Sequence, residues 1–155
     1  MKVSGTAKFA DYLSANYLHQ KYLVIILFVA ALIIHLIPNS KNFYGVSYAN
    51  IFLSWAIFYT LIFIPLKTYF TFNSIKQQSV KYEIELLEDG FHYNSEMGRG
   101  VLPWSYYTSY IENSRVIVLF QGRRPASIIP KHYFTSPELL LEFKNLLSKY
   151  VYKKS

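Results

Sequence analysis

The sequence contains no cysteine and few acidic residues for its length. Among 155 residues there are 9 Asp or Glu, 16 Lys or Arg and 4 His. The lack of cysteine excludes disulfide bonds, zinc–thiolate sites and cysteine nucleophiles. The histidines, His19, His35, His92 and His132, are scattered and form no pair at the spacing of a metal site. We therefore expect neither a bound metal nor a cofactor.

The sequence also lacks the common catalytic and phosphate-binding motifs. It contains no HExxH, no glycine-rich phosphate loop and no GxSxG nucleophile elbow. Glu83 and Glu85 share one face of a predicted strand, where carboxylates usually keep an edge soluble. No grouping supplies a nucleophile, a base and a residue that orients the base. The sequence therefore predicts a protein that is not an enzyme.

The formal charge of +7 is distributed in a way that does not favour nucleic acid as a partner. The first 66 residues contain Lys2, Lys8, Lys21 and Lys41 against Asp11 alone. The remaining sequence interleaves basic and acidic residues. Basic residues beside apolar runs are better explained by the positive-inside rule and by anionic lipid headgroups.

Two apolar runs, residues 22–37 and 50–66, contain no Asp, Glu, Lys or Arg. Their lengths approach the roughly 20 residues needed to cross a hydrocarbon core of about 30 Å. We predict a transmembrane hairpin over residues 22–66, with spans at about 22–38 and 49–66. More lysines flank its outer ends than its turn, so both termini are expected on the cytoplasmic side.

Two shorter segments flank the predicted hairpin. Residues 1–21 form a polar lead, which fits either a helix lying along the membrane surface or a helical entry to the first span. Residues 67–79 combine aromatic residues with Lys67 and Lys76 and are expected to form a juxtamembrane stalk.

From residue 80 the hydrophobic period changes to strict alternation, which is typical of half-buried strands. Turn signals recur every eight to twelve residues and predict an antiparallel meander. At the first turn, Asp89-Gly90 is expected to form a tight hairpin in which Gly90 takes a positive φ. The run at residues 115–120 is almost wholly apolar and suits a central strand.

A final helix is predicted from Ser136. Ser136 is a suitable N-cap, Pro137 fits the first helical position and Glu138 complements the helix dipole. Leucines and Phe143 then recur at the spacing of one apolar face. We expect this helix to cover an open sheet or to close the end of a barrel.

Five short motifs follow one another from residue 87: LEDGFHYNSEMG at 87–98, LPWS at 102–105, RVIVLF at 115–120, ASIIPKHYF at 126–134 and the helix from Ser136. Their order resembles that of the YcxB-like domain of bacterial membrane proteins. The resemblance implies an α+β membrane protein of the inner membrane, with a two-helix transmembrane hairpin followed by a small antiparallel β-meander closed by a C-terminal helix. Its cytoplasmic domain, residues 80–151, would be similar to pleckstrin-homology-like (PH-like) domains. No established reaction accompanies the family.

The residues singled out fall into two groups. The first comprises candidate contacts for anionic lipid headgroups or for a protein partner: Lys67, Lys76, Arg123, Arg124 and Lys131. The two arginines also fit a solvated hairpin tip, and Lys131 fits an ordinary surface position. The second group comprises structural anchors: Gly90, Trp104, Pro130, Phe134 and Phe143. Trp104 is expected to pack on the apolar face of the final helix.

Three functional hypotheses follow from these observations. The leading one is a non-catalytic inner-membrane protein whose cytoplasmic domain binds another protein or the membrane surface. The second is a sensor of lipid headgroups. The third is a protective (immunity) protein against a toxin that acts at the membrane.

Overall fold

The computed structural model describes residues 2–36, 48–76, 82–95 and 98–154. Most of the predicted turn between the spans, residues 37–47, and the end of the predicted stalk, residues 77–79, lie outside the described residues. The helices are α1 (Phe9–His35), α2 (Tyr48–Phe58), α3 (Ile64–Lys76) and α4 (Pro137–Tyr150). The strands are β1 (Lys2–Gly5), β2 (Tyr82–Leu86), β3 (Gly90–Ser95), β4 (Gly98–Pro103), β5 (Ser109–Glu112), β6 (Val116–Gln121), β7 (Arg124–Pro130) and β8 (Tyr152–Lys153). The predicted α+β class and antiparallel sheets are confirmed.

Two helices are long and apolar enough to cross a membrane. They are Phe9–His35, with a mean hydropathy of 1.9, and Asn50–Ser74, with a mean hydropathy of 1.6. Both expose large apolar side chains; the exposed fraction is 52% for Tyr22 and 67% for Leu61. Exposed apolar surface on this scale is unusual for a helix in water.

The helix that contains the second apolar run packs antiparallel to α1. The ring of Phe9 meets that of Phe72 at 5.8 Å, and Asn16 Nδ2 donates a hydrogen bond of 2.9 Å to Thr68 Oγ1. A π-helical turn, Tyr59–Phe63, joins α2 to α3. A π turn lengthens the local hydrogen-bond ring and changes the alignment of the carbonyls. Here the carbonyl of Thr60 accepts a hydrogen bond from the hydroxyl of Tyr17 on α1.

The first residues form a strand rather than part of a helix. β1 pairs antiparallel with β2, with Val3 opposite Ile84, and Val3 is buried in the domain core. The helical character expected over residues 1–21 begins only at Phe9. A strand of four residues is too short to show a period, and its partner lies about 80 positions away in the sequence. The helix pair is thus inserted between the first and second strands of one sheet.

The strands form two four-stranded sheets. Sheet 1 has the order β1-β2-β3-β4 and is antiparallel throughout. Sheet 2 has the order β7-β6-β5-β8, in which β8 is parallel to β5. The main core lies between the sheets and α4, and it includes the completely buried Phe143 and Leu147 of that helix. The N-cap of α4 is as expected, since Ser136 Oγ accepts a hydrogen bond from the backbone N–H of Leu139.

β6 is buried on both faces because different elements cover them. Its residues Ile117 and Leu119 face the main core. The alternate residues pack in a second cluster with the first turns of α1: Val116, Val118 and Phe120 with Ala15 and Leu18. An apolar strand without alternation is expected when both faces are covered. The first half of α1 is therefore part of the domain's packing.

The prediction of a positive φ at Gly90 is wrong. Among the described glycines, positive φ values occur at Gly98 (143°) and Gly122 (60°). Gly90 instead lies in β3 opposite Pro103, where a Cβ would be 2.4 Å from the carbonyl oxygen of Leu102 and 2.8 Å from the Cα of Pro103. The position requires glycine because of close backbone approach.

Candidate functional site

β6 runs alongside the first half of α1 in the same direction. Just before the strand, Asn113 Nδ2 donates a hydrogen bond of 2.8 Å to Ser14 Oγ. At the other end of the strand, the rings of Phe120 and His19 are 5.5 Å apart. The turn from β6 to β7 therefore lies towards the end of this packed segment, where the exposed apolar surface of α1 begins at Tyr22.

The β6–β7 turn presents two arginines to solvent. Gln121 pairs with Arg124, and Gly122 takes the left-handed conformation that a two-residue hairpin turn favours. The backbone N–H of Gly122 donates a hydrogen bond of 3.0 Å to Thr108 Oγ1, which ties the turn to the start of β5. Arg123 and Arg124 are both exposed.

Three lysines lie near the same level of α1, at the end of its packed first half. Lys67 of α3 and Lys154, which follows β8, are both within electrostatic range of His19. Lys21 lies over the ring of Tyr22, with its Nζ 4.7 Å from the ring centroid. We call the set Lys21, Lys67, Arg123, Arg124 and Lys154 the basic collar. Across the described ranges, no member of the collar forms an ion pair with an acidic side chain.

Two members of the collar were not singled out from the sequence. In the sequence, Lys21 is only a charge that flanks an apolar run, and Lys154 is only one of two adjacent lysines, Lys153 and Lys154. The position of Lys154 depends on β8, because its backbone N–H donates a hydrogen bond of 2.8 Å to the carbonyl of Tyr110. A two-residue parallel strand leaves no recognisable sequence signal. The side chain of the predicted contact Lys76 lies outside what the structure describes.

Lys131 belongs to a different cluster. Its Nζ lies 2.8 Å from Glu112 Oε2, and Glu112 also meets Lys144 at 2.7 Å and Lys153 at 2.9 Å. The Lys131 side chain is 16% exposed. Its backbone N–H bonds the carbonyl of Arg115, at the opposite end of β6 from the arginine turn. Lys131 is therefore separated from the collar and already paired.

The glutamate in this cluster is strongly acidic. Burial raises the pKa of Glu112, but hydrogen bonds from the three lysines outweigh that effect and lower the pKa from 4.5 to about 2. The cluster joins β5, the turn after β7, α4 and β8 through one carboxylate. Its geometry indicates a structural connection between the end of the chain and sheet 2.

The predicted anchors all lie in or beside the domain core. Trp104 is buried, its indole N–H donates a hydrogen bond of 2.9 Å to the carbonyl of Leu87, and its ring stacks on Tyr150 of α4. Phe134 stacks on Phe143 with ring centroids 5.3 Å apart. Pro130 is buried at the end of β7. These contacts place α4 against the strands.

Concave regions also occur outside the collar, and two of them involve the sheets. A cavity of about 340 Å³ between the sheets is lined mainly by apolar and aromatic side chains, including Phe91, Leu102 and Ile128. A second concavity of about 710 Å³ lies on sheet 1 and is lined by side chains of both charges, including Glu83 and Arg99. Within residues 2–36, 48–76, 82–95 and 98–154, no group of three or more histidines and carboxylates could hold a metal ion.

Comparison with known proteins identifies a family for the C-terminal part of the chain. Residues 86–147 match the sequence model of the family described as YcxB-like protein. The resemblance drawn from the five motifs is therefore confirmed. No curated protein and no solved structure gives a significant match. The matched region contains β3 to β7 and most of α4, but it excludes β1, all but the last residue of β2, the long helices and β8.

Proposed function

We propose that this chain, whose residues 86–147 match the YcxB-like protein family, is a non-catalytic integral membrane protein. It spans the inner membrane twice and presents a PH-like binding domain at the cytoplasmic surface. The observation that carries the proposal is the packing of β6 on the first half of α1. This contact joins the domain directly to one of the two long apolar helices. A domain held in this way stays beside the bilayer.

The PH-like assignment is supported by the order of elements. An antiparallel four-stranded sheet precedes three further antiparallel strands, and a C-terminal amphipathic helix then packs against both sheets. In this arrangement β1 supplies the first strand before the helix pair, and β2 continues the sheet after it. The two long helices would then form a membrane insertion between neighbouring strands of the domain.

The membrane arrangement can be tested with single cysteines, since the natural chain has none. A Ser40→Cys variant places a thiol in the predicted outer turn, and a Ser114→Cys variant places one at the exposed turn before β6. In intact spheroplasts a membrane-impermeant maleimide should label the first variant alone, and both should react after lysis. Labelling of Ser114→Cys in intact spheroplasts would show that the orientation is wrong. Extraction by alkaline carbonate would show that the protein is not integral.

A second candidate function, binding of another protein, is favoured by the concavity on sheet 1. Its charged residues Glu83 and Arg99 lie on β2 and β4 of sheet 1. A Glu83→Lys variant should lose a partner captured from detergent extracts, whereas substitutions at the β6–β7 turn should retain it. Equal capture by Glu83→Lys and the wild type would count against this surface. The protective role against a toxin remains a prediction from the sequence.

A further inference from the structure

We infer that the basic collar, Lys21, Lys67, Arg123, Arg124 and Lys154, binds the headgroups of anionic phospholipids in the membrane that holds the helices. The inference rests on the proposed function, because it requires the helix pair to lie in a bilayer. It assigns the domain a lipid partner and identifies the β6–β7 turn as the main contact.

The position of the turn along α1 is the first argument. His19 precedes Tyr22 by three residues, which is about 4.5 Å along a helix. Arg123 follows Phe120 by three residues, which is up to about 10 Å along a strand. Because Phe120 contacts His19 and β6 runs in the direction of α1, the turn extends to the level where the exposed apolar side chains of α1 begin, at Tyr22. That level corresponds to the headgroup layer.

The charge of the collar is the second argument. Its five cations come from α1, α3, the β6–β7 turn and the residue after β8, and none forms an ion pair among the described residues. By contrast, Lys131, Lys144 and Lys153 all meet Glu112. Basic side chains near a surface are attracted to anionic lipids, and the arginine fork can bind phosphate with two parallel hydrogen bonds.

Exposed tyrosines near the collar are the third argument. Tyr22 directly follows Lys21 on α1, and Tyr152 of β8 pairs with Ser109 beside Phe120. Tyr152 is 72% exposed. Tyrosine is enriched where a protein meets the headgroup layer, since its ring is apolar and its hydroxyl is polar. If the arginines were only a solvated hairpin tip, the exposed tyrosines beside them would have no explanation.

The test uses the full chain in lipid nanodiscs, with a fluorophore at Gln121→Cys as a reporter of immersion of the turn. Nanodiscs of phosphatidylcholine alone are compared with nanodiscs that contain rising fractions of phosphatidylglycerol. We expect a blue shift of the emission with phosphatidylglycerol, which is lost at high salt because screening weakens the attraction. In an Arg123→Gln/Arg124→Gln variant the equilibrium constant for immersion of the turn should fall about 25-fold, at about fivefold for each arginine.

Arg115→Gln is the matched control, because Arg115 lies at the other end of β6 and is also exposed. With this substitution the blue shift of the emission should equal that of the Gln121→Cys reporter protein with both turn arginines intact. An equal shift in both lipids, or an equal weakening in the control, would overturn the inference. Failure of the chain to enter nanodiscs would instead contradict the proposed membrane insertion. Unchanged circular dichroism of the double variant would exclude misfolding as the cause.

Discussion

Removal of the Glu112 charge should destabilise the domain strongly. A Glu112→Gln substitution keeps the size and a carbonyl acceptor but leaves Lys131, Lys144 and Lys153 close together without a counter-charge. The carboxylate is only 15% exposed, so solvent screens the repulsion poorly. Breaking a poorly solvated pair by removing one partner is usually more costly than the pair itself is worth.

The expected loss in free energy of unfolding follows from the pKa of Glu112. Its pKa is lowered from 4.5 to about 2 in the folded protein. That difference corresponds to about 3 kcal/mol of stability at neutral pH. Because the folded pKa is the lower one, this stability is fully present above about pH 4.5 and is lost as the pH falls towards about 2.

Thermal unfolding in detergent provides the assay. In a Trp55→Phe background the intrinsic fluorescence reports on Trp104, which is buried in the domain. We expect Glu112→Gln to lower Tm by about 10 °C at neutral pH. The deficit relative to the wild type should stay constant down to about pH 5 and then shrink towards about pH 3.

The control for this prediction is Glu142→Gln on the exposed side of α4, which should change stability by no more than about 0.5 kcal/mol. An unchanged Tm for Glu112→Gln at neutral pH would refute the reasoning. A deficit that does not shrink in acid would show that the charge of Glu112 is not its source.

The same unfolding assay tests three features of the packing. Gly90→Ala should cost about 2 kcal/mol or more, because its Cβ would lie 2.4 Å from a backbone oxygen of β4, and a neutral effect would contradict the close approach. Val3→Asp should destabilise the domain by about 3 kcal/mol by placing a charge in the core, and wild-type stability would mean that β1 is not part of the domain. Leu147→Ala should cost about 2–5 kcal/mol, since Leu147 is completely buried. Leu141→Ala on the exposed side of the same helix is its control and should have little effect.

Local sequence patterns predicted the helices and strands whose formation depends on residues close together in the sequence. The cap at Ser136 and the recurrence of apolar residues predicted α4, because helix periodicity and capping depend on neighbours within a few positions. The long apolar runs likewise predicted two apolar helices. The almost wholly apolar run at residues 115–120 indicated a central strand, and β6 is central.

The candidate site could be predicted only in part. Lys67, Arg123 and Arg124 were identified because they flank an apolar run or occupy a turn. Lys154 joins them through the pairing of β8 with β5, and that pairing has no local signal. From the sequence, Lys131 looks like the other basic candidates. Its partner Glu112 lies 19 residues away, so no local pattern shows that Lys131 is paired. Which lysines are paired and which are free depends on contacts distant in the sequence.

The sequence by itself determined the segregation of the chain into an apolar helix pair and an alternating, polar domain, because hydrophobic period and helix length are local properties. Only the tertiary structure decided that residues 2–5 complete a sheet whose next strand follows the helix pair. It also decided that α1 covers one face of β6, since burial of that second face requires two segments separated by about 100 residues. The orientation of the arginine turn along α1 is a consequence of that contact.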